Sequence, residues 1–380
     1  MKYVIIKHNN VERKNKMVYI LIIISILFIL LITFNKSAVP VFLYHQVNPI
    51  SSNVSPEIFE EHLKIIKKYN TKTITISEYY NNTVNKNSIL LTFDDGYYDN
   101  FKYVFPLLKK YNMKATIFLN TLYIMDKREN EPEIKDNNTV NLEAMKKYIE
   151  NGGATINQYM SWEEIKEMYD SGLIDFQAHS HKHMAIFIDT KIEGLTKKDK
   201  MEAPELYLYG ELEDNFPIFA KRGEYSGKAK LIKKEFFKIF KNFYEENIEN
   251  KITDKNEILK KCQEFIDINT GYFSNESETE CKKRIEEDYL KNKKLIENKL
   301  GNQVKFFCWP WGHRSKETIN ILKELGVVGF ISTKKGTNSM KANWNMIRRI
   351  ELRKYSPEKF KINLLVARNL ILGKIYGWIS

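Results

Sequence analysis

Two adjacent carboxylates and a tight histidine cluster are the groups in this chain best equipped for chemistry. Thr92-Phe93-Asp94-Asp95-Gly96 follows the apolar run Ile89-Leu90-Leu91, and His179-Ser180-His181-Lys182-His183 follows a segment expected to be a strand. That second cluster holds three of the chain's 7 histidines. Neighbouring carboxylates at a strand end project differently, so one can take a metal while the other faces a substrate. The ordinary alternative is a capping aspartate and an Asp-Gly turn. His179 and His183 have i, i+4 spacing, which on a helical turn places two imidazoles on one side, as zinc sites often do, and aims His181 elsewhere. The plain alternative is a surface histidine cluster. Two more segments end expected strands. Tyr44-His45 offers a lone histidine, ordinarily a structural one, and Cys308-Trp309-Pro310-Trp311-Gly312 reads by itself as a strand-to-turn transition stiffened by proline.

The elements that would position these groups alternate. Short apolar runs predict strands over 40–44, 73–76, 88–93, 115–119, 173–178, 304–308 and 327–332, and helical spacing predicts helices over 55–69, 98–111, 161–169, 278–300 and 316–325. Pro56 suits a first helical turn, and Ser161-Trp162-Glu163-Glu164 has capping-box spacing. This rhythm argues for a parallel α/β sheet or barrel, and in β/α barrels the C-terminal strand ends form the active face. All four polar clusters fall at such ends. Residues 121–160 are polar without periodicity. From 186 to 275 the rhythm breaks into an aromatic, lysine-rich insertion, with helical spacing at 231–247.

Composition narrows the classes. A hydrophobic fraction of 43% with 13% aromatics supplies a sizeable core in 380 residues. The formal charge of +12 suits an anionic polymer or lipid, or is simply a solvated lysine-rich surface, and no nucleic-acid-binding signature accompanies it. Residues 17–34 carry no charge and are long enough to cross a bilayer as a helix. Lys2, Lys7, Arg13, Lys14 and Lys16 precede that run and only Lys36 closely follows it, so the positive-inside rule puts residues 1–16 in the cytoplasm as a basic tail and the rest outside. Asn35-Lys36-Ser37-Ala38 makes a poor signal-cleavage site, which favours an uncleaved single-pass anchor in the cell membrane. Cys262, Cys281 and Cys308 are too few for a disulfide framework; a Cys262–Cys281 bond is open but not required. The domain reading is therefore 1–16 tail, 17–34 anchor, 37–355 one barrel-like domain with an insertion at about 186–275, and 356–380 a C-terminal apolar helical segment, read as packing on the barrel rather than lying in a membrane interface. Nothing in the sequence sets the oligomeric state.

Thr92–Gly96 and His179-Ser180-x-x-His183 resemble the first two motifs of the NodB-type polysaccharide deacetylases, carbohydrate esterase family four, and Cys308–Gly312 resembles the third. Pro40-Val-Phe-Leu-Tyr-His45 is similar to the N-terminal histidine segment of the branch containing poly-N-acetylglucosamine deacetylases. Ser161-Trp162, Ser171-Gly172-Leu173, and Arg284 with Asp288 fit that branch too. The resemblance covers most of residues 39–350 and leaves 186–275 without a recognised counterpart.

It implies a distorted β/α barrel, NodB-like, with insertions, to which the sequence adds the one N-terminal transmembrane helix read above. It further implies a divalent metal, most often zinc, on Asp95, His179 and His183, with Asp94 as general base, His45 as the acid that protonates the leaving amine, and the backbone N–H of Trp311 stabilising the oxyanion. Two departures stand out. Many family members carry an arginine where this chain has Cys308, a loss that leaves Arg348 or Arg349 as substitutes, and the late leucine-x-histidine motif is absent. The expected activity is metal-dependent removal of acetyl groups from an extracellular N-acetylglucosamine polysaccharide. An O-acetyl polysaccharide esterase, a membrane-tethered glycan-binding protein with a structural metal and, more distantly, a nucleic-acid-binding protein are the rival readings.

Overall fold

The computed structural model describes residues 16–27, 29–30, 38–50, 54–200, 202–210, 213–353 and 356–379. Eight short strands make its central sheet: β1 Val41–Tyr44, β2 Lys72–Thr73, β3 Ser88–Phe93, β4 Ala115–Asn120, β5 Ile174–Ser180, β6 Phe306–Cys308, β7 Gly329–Ile331 and β8 Ile350–Glu351. Their order is β7-β6-β5-β4-β3-β1-β8, with β2 also against β3, and every pairing is parallel. β1, β3 and β4 are buried along their whole length, as parallel strands covered on both faces must be, which explains their largely apolar sequences. The sheet curls until its ends meet: Ile331 at the end of β7 bridges Ile347, just ahead of β8.

Local sequence sets the covering helices. Ser55 caps the helix Pro56–Lys68 by accepting from the N–H of Ile58 at 3.3 Å, and Phe59, His62, Leu63 and Ile66 form its buried face. The strand expected at 73–76 is shorter than the apolar run suggested. Thr75 and Glu78 close a capping box that starts the helix Ile76–Tyr80, so β2 stops at Thr73. Residues 98–111 are helical in two parts, a π-helical turn Asn100–Val104 and an α-helix Phe105–Tyr111 with Pro106 in its first turn. Within the polar stretch 121–160 lies an unanticipated helix, Asn137–Asn151, capped by Asp136 and ended by Gly152 at φ 74°.

The insertion starts as an antiparallel hairpin, Ala185–Leu195 with Pro217–Gly223, and adds the helices Ala203–Tyr209, Lys234–Asn247 and Lys255–Ile268. Its aromatic richness is a core: Phe187, Phe219, Phe236, Phe240, Cys262 and Ile266 pack together. Cys262, Cys281 and Cys308 are all free and buried. Two helices, Pro357–Ala367 and Leu370–Ile379, end the described chain, and Phe360 packs its ring on Phe42 and His62.

Near the N-terminus, residues 16–27 and 29–30 are helical. Among the described residues no helix is long and apolar enough to cross a membrane, and residues 28 and 31–34 of the expected anchor lie outside them.

Candidate active site

The polar clusters converge at the C-terminal ends of β1, β3, β5 and β6. Asp94 leaves β3 with its N–H donated to Tyr44 O at 3.1 Å. Asp95 and Gly96 then turn through φ 78° and 83°; a Cβ on Gly96 would meet Leu119 Cδ2 at 2.9 Å, so glycine is required there. This turn sends the two carboxylates apart.

Asp94 points into the barrel, where buried Arg349 grips it at two points, Nη1 to Oδ1 and Nη2 to Oδ2, both 2.7 Å. Arg349 also donates to Ser332 O at 3.0 Å and to Cys308 Sγ at 3.0 Å, and the Cys308 thiol lies 3.5 Å from Asp94 Oδ2. Burial by itself pushes the Asp94 carboxyl up. The Arg349 cation, helped by His179, overrides that and holds it well below the usual carboxylate range. Burial pushes the Cys308 thiol well up. Of the two arginines the sequence left open, Arg349 pairs with Asp94, while Arg348 turns to Lys335 O.

Asp95 faces the histidines. Its Oδ1 lies 3.5 Å from His179 Nε2 and 3.6 Å from His183 Nε2, and accepts from Asn120 Nδ2 at 2.8 Å. The helical turn expected for the histidine cluster is not formed. His179 is still within β5, and His183 sits at φ 54° after a turn in which its N–H reaches Ser180 Oγ at 2.8 Å. The rings converge because the strand end folds back, not because of helical periodicity. His181 points away and meets Thr121 Oγ1 through Nδ1 at 2.9 Å.

These residues fit a cation. His179 Nδ1 is 2.8 Å from Cys308 O; a carbonyl only accepts, so Nδ1 carries the proton and Nε2 turns a lone pair toward Asp95. Burial pulls both His179 and His183 down to about 4, which keeps them neutral near pH 7. Two imidazoles and a carboxylate therefore bring ligand atoms within 4.8 Å of one another. Asp94, His179 and Cys308 also meet that spacing. That second set is a poor holder, since the Arg349 guanidinium already occupies Asp94 and the thiol stays protonated.

The histidine loop is fixed from behind by one helix, Glu278–Leu300. Asp288 accepts the N–H groups of His181 and Lys182 at 2.8 and 3.1 Å and the hydroxyl of Tyr225 at 2.6 Å. One turn on, Asn292 donates to Leu119 O at 2.9 Å and to Ser180 O. Arg284, on the same helix, pairs with Glu276 and reaches Glu224 O. Asp288 and Arg284 were legible through family resemblance; Asn120, Asn292 and Tyr225 carried no signal in the sequence.

His45 stands on the other rim. Its Nδ1 lies 3.9 Å from Glu351 Oε1, which Arg353 also holds at 2.5 Å. Trp311 adopts φ 51° and lays its ring 4.1 Å from that of His183. Asp95, Asn120, Tyr123, His183, Trp311 and Arg353 line a cleft of about 390 Å³. A larger cavity, about 730 Å³, opens at the opposite ends of β4–β6 beside Asp175. Ser77 and Gln177 satisfy that carboxyl, and in barrels this end serves stability.

The sequence model of the polysaccharide deacetylase family matches residues 81–220 and 228–330, more than half of the chain. The chain belongs to the polysaccharide deacetylase family. This deacetylase-family chain thus shares the family pattern across Asp94, Asp95, His179, His183 and Trp311, and the match also runs through most of the 186–275 segment. His45 and Arg349 lie outside it. The Bacillus subtilis protein YxkH is 36% identical over 93 residues, 23% of this chain and 33% of its own length. The Staphylococcus aureus poly-beta-1,6-N-acetyl-D-glucosamine N-deacetylase is 27% identical over 195 residues, 45% of this chain and 59% of the relative. The chain therefore spans about a third to three fifths of these relatives. Among solved structures, the BpsB deacetylase domain of Bordetella bronchiseptica superposes with TM-score 0.53 at 16% identity, over 84% of this chain and 97% of that one. A de-N-acetylase from Aggregatibacter actinomycetemcomitans gives 0.53 at 15% identity, over 86% and 99%. These two likenesses establish the curled α/β fold of this deacetylase-family chain.

Proposed function

We propose that this protein is a metal-dependent hydrolase that removes acetyl groups from a β-linked N-acetylglucosamine polymer outside the cell. The observation that carries the reading is the convergence of Asp95, His179 and His183 within 4.8 Å, beside an Asp94 held ionised by Arg349. Similarity to the staphylococcal deacetylase supports this substrate class. Two imidazoles and one carboxylate suit zinc and leave it open positions. A divalent cation held there supplies Lewis acidity toward the acetyl carbonyl and an adjacent water.

The chain's own groups complete the reaction. Asp94 stays in its proton-accepting form at every physiological pH. Its pairing with Arg349 makes it a weak base, effective only against an acidified water. As the water oxygen bonds to the carbonyl carbon, Asp94 takes the proton and the N–H of Trp311 steadies the oxyanion. The carbon–nitrogen bond then breaks, His45 protonates the departing amine, and acetate and a free amino sugar result. Glu351 Oε1 lies 3.9 Å from His45 Nδ1 and orients that ring at the rim of the cleft.

In this proposal residues 17–34 anchor the chain, single-pass, with the catalytic domain extracytoplasmic. The lysine and arginine bias before residue 17 supports that orientation.

Acetate release from N-acetylglucosamine oligomers, with and without chelator, tests the chemistry. Release that stops with chelator and returns with zinc is expected. Release only from O-acetylated glycans would make the protein an esterase. Glycan binding without release would make it a binding protein with a structural metal. Metal content should approach one ion per chain and fall with His183→Ala.

A further inference from the structure

The helix Leu370–Ile379 is turned the wrong way round for a water-soluble surface. Its inner face is glycine: a Cβ on Gly377 would lie 2.6 Å from Lys335 O, and one on Gly373 would collide with Thr337. Its outer face carries the bulk, with Ile371 55%, Ile375 49%, Trp378 88% and Ile379 73% exposed. Those positions fall at i, i+4, i+7 and i+8, one continuous stripe. Surface helices of soluble proteins bury such a stripe, and an apolar patch left outward marks a docking face.

Connectivity and charge say what covers it. The N–H of Ala38 donates to Arg368 O at 3.1 Å, two residues before this helix begins. The chain thus leaves the uncharged run 17–34 and enters the domain at the base of the helix, with at most about 14 Å of backbone from Phe34 to Ala38. Lys374 is exposed on the stripe's edge, and Lys335 and Arg348 lie next to the glycine face. Apolar bulk with a tryptophan, rimmed by cations, matches the boundary between acyl chains and anionic headgroups.

We propose that Ile371, Ile375, Trp378 and Ile379 lie in the membrane interface as a second contact, fixing the domain's orientation on an anionic lipid surface. This rests on the anchored reading of residues 17–34. Its effect is to turn a single attachment into a two-point mount and so set the direction in which the active-site cleft opens.

The test uses the full chain with phosphatidylcholine–phosphatidylglycerol vesicles carrying brominated acyl chains, read by flotation and tryptophan quenching. Among the five tryptophans only Trp378 is this exposed, and its replacement does not touch the core. Expected is a chain that floats with the vesicles and shows a quenched emission component that Trp378→Phe removes. Flotation with equal quenching in wild type and Trp378→Phe would overturn the inference and leave the anchor standing. Failure to float would remove the anchor and the inference together. A Trp378 emission shifted to the blue without bromine quenching, together with cross-linked dimers, would show a second copy covering the stripe and would also overturn it.

Discussion

Arg349 and Asp94 form a two-point ion pair, 2.7 Å at each contact, with neither side chain open to solvent. The arginine comes from the far end of the sheet, just ahead of β8, and reaches past Cys308, the position where many family members supply the arginine themselves. The thiol fills the space and accepts from Arg349. The buried Asp94 carboxylate thus has an arginine partner supplied from a different place in the chain.

Removing that partner should be costly. Arg349→Met leaves Asp94 buried and unpaired, an expected loss of about 3–5 kcal/mol read from denaturant midpoints. Asp94→Asn combined with Arg349→Met should cost less than the two singles summed. The acid dependence has a defined sign. Asp94 is held below its unfolded value, so its contribution is full above the ordinary carboxylate range and is lost as pH falls through it. The stability gap between wild type and Arg349→Met should therefore narrow below about pH 4. A gap unchanged at pH 3 would show that the pair contributes only through packing.

Asp94 and His45 should separate by substrate. Asp94→Asn is expected to retain the metal and lose at least about a hundredfold in turnover. His45→Ala should also retain metal, and should slow amides far more than esters with good leaving groups, flattening the alkaline limb of the pH–rate profile. Loss of metal in His45→Ala would make His45 a ligand and remove the assignment of an acid.

Asp288 positions the histidine loop without entering the cleft. Asp288→Leu should weaken metal binding by about 10–100-fold, the range found when groups supporting metal ligands are removed. Asp288→Asn, which keeps one acceptor, should lose less. The measurement is metal affinity at constant fold, followed by circular dichroism. Equal affinities in all three proteins would show that the loop holds its shape unaided.

Glu224 gives a second pH effect, opposite in sign. Burial, with Asp288 close by, pushes its carboxyl up to about 8, so the folded protein keeps a proton that the unfolded chain releases near 4.5. Stability should fall as pH rises from the ordinary carboxylate range toward 8. Glu224→Gln should remove that slope, gaining on wild type as pH increases. Parallel stability curves for the two proteins would refute the shift.

The sequence was most readable where burial was complete. β3 and β4 are buried on both faces and mostly apolar, so they needed no tertiary information, and helix Glu278–Leu300 was legible from its helical spacing. Helix Asn137–Asn151 was hidden because its mostly polar surface leaves little amphipathic signal. The histidine pair was found for a reason that does not hold: i, i+4 spacing suggested a helix, whereas a strand end and a left-handed residue bring the rings together. Arg349 could not be distinguished from Arg348, because which of them faces inward depends on the pleat of a two-residue strand that follows.

The Asp94–Arg349 contact spans 255 residues of sequence. If, as proposed, the chain is exported N-terminus first, it presents Asp94, Asp95, His179 and His183 long before Arg349 emerges. Until then Asp94 has no counter-charge and the sheet no closing segment, so the centre stays unassembled through most of translocation. On that proposal, assembly of the cleft is a late event, expected only after nearly the whole domain has crossed the membrane.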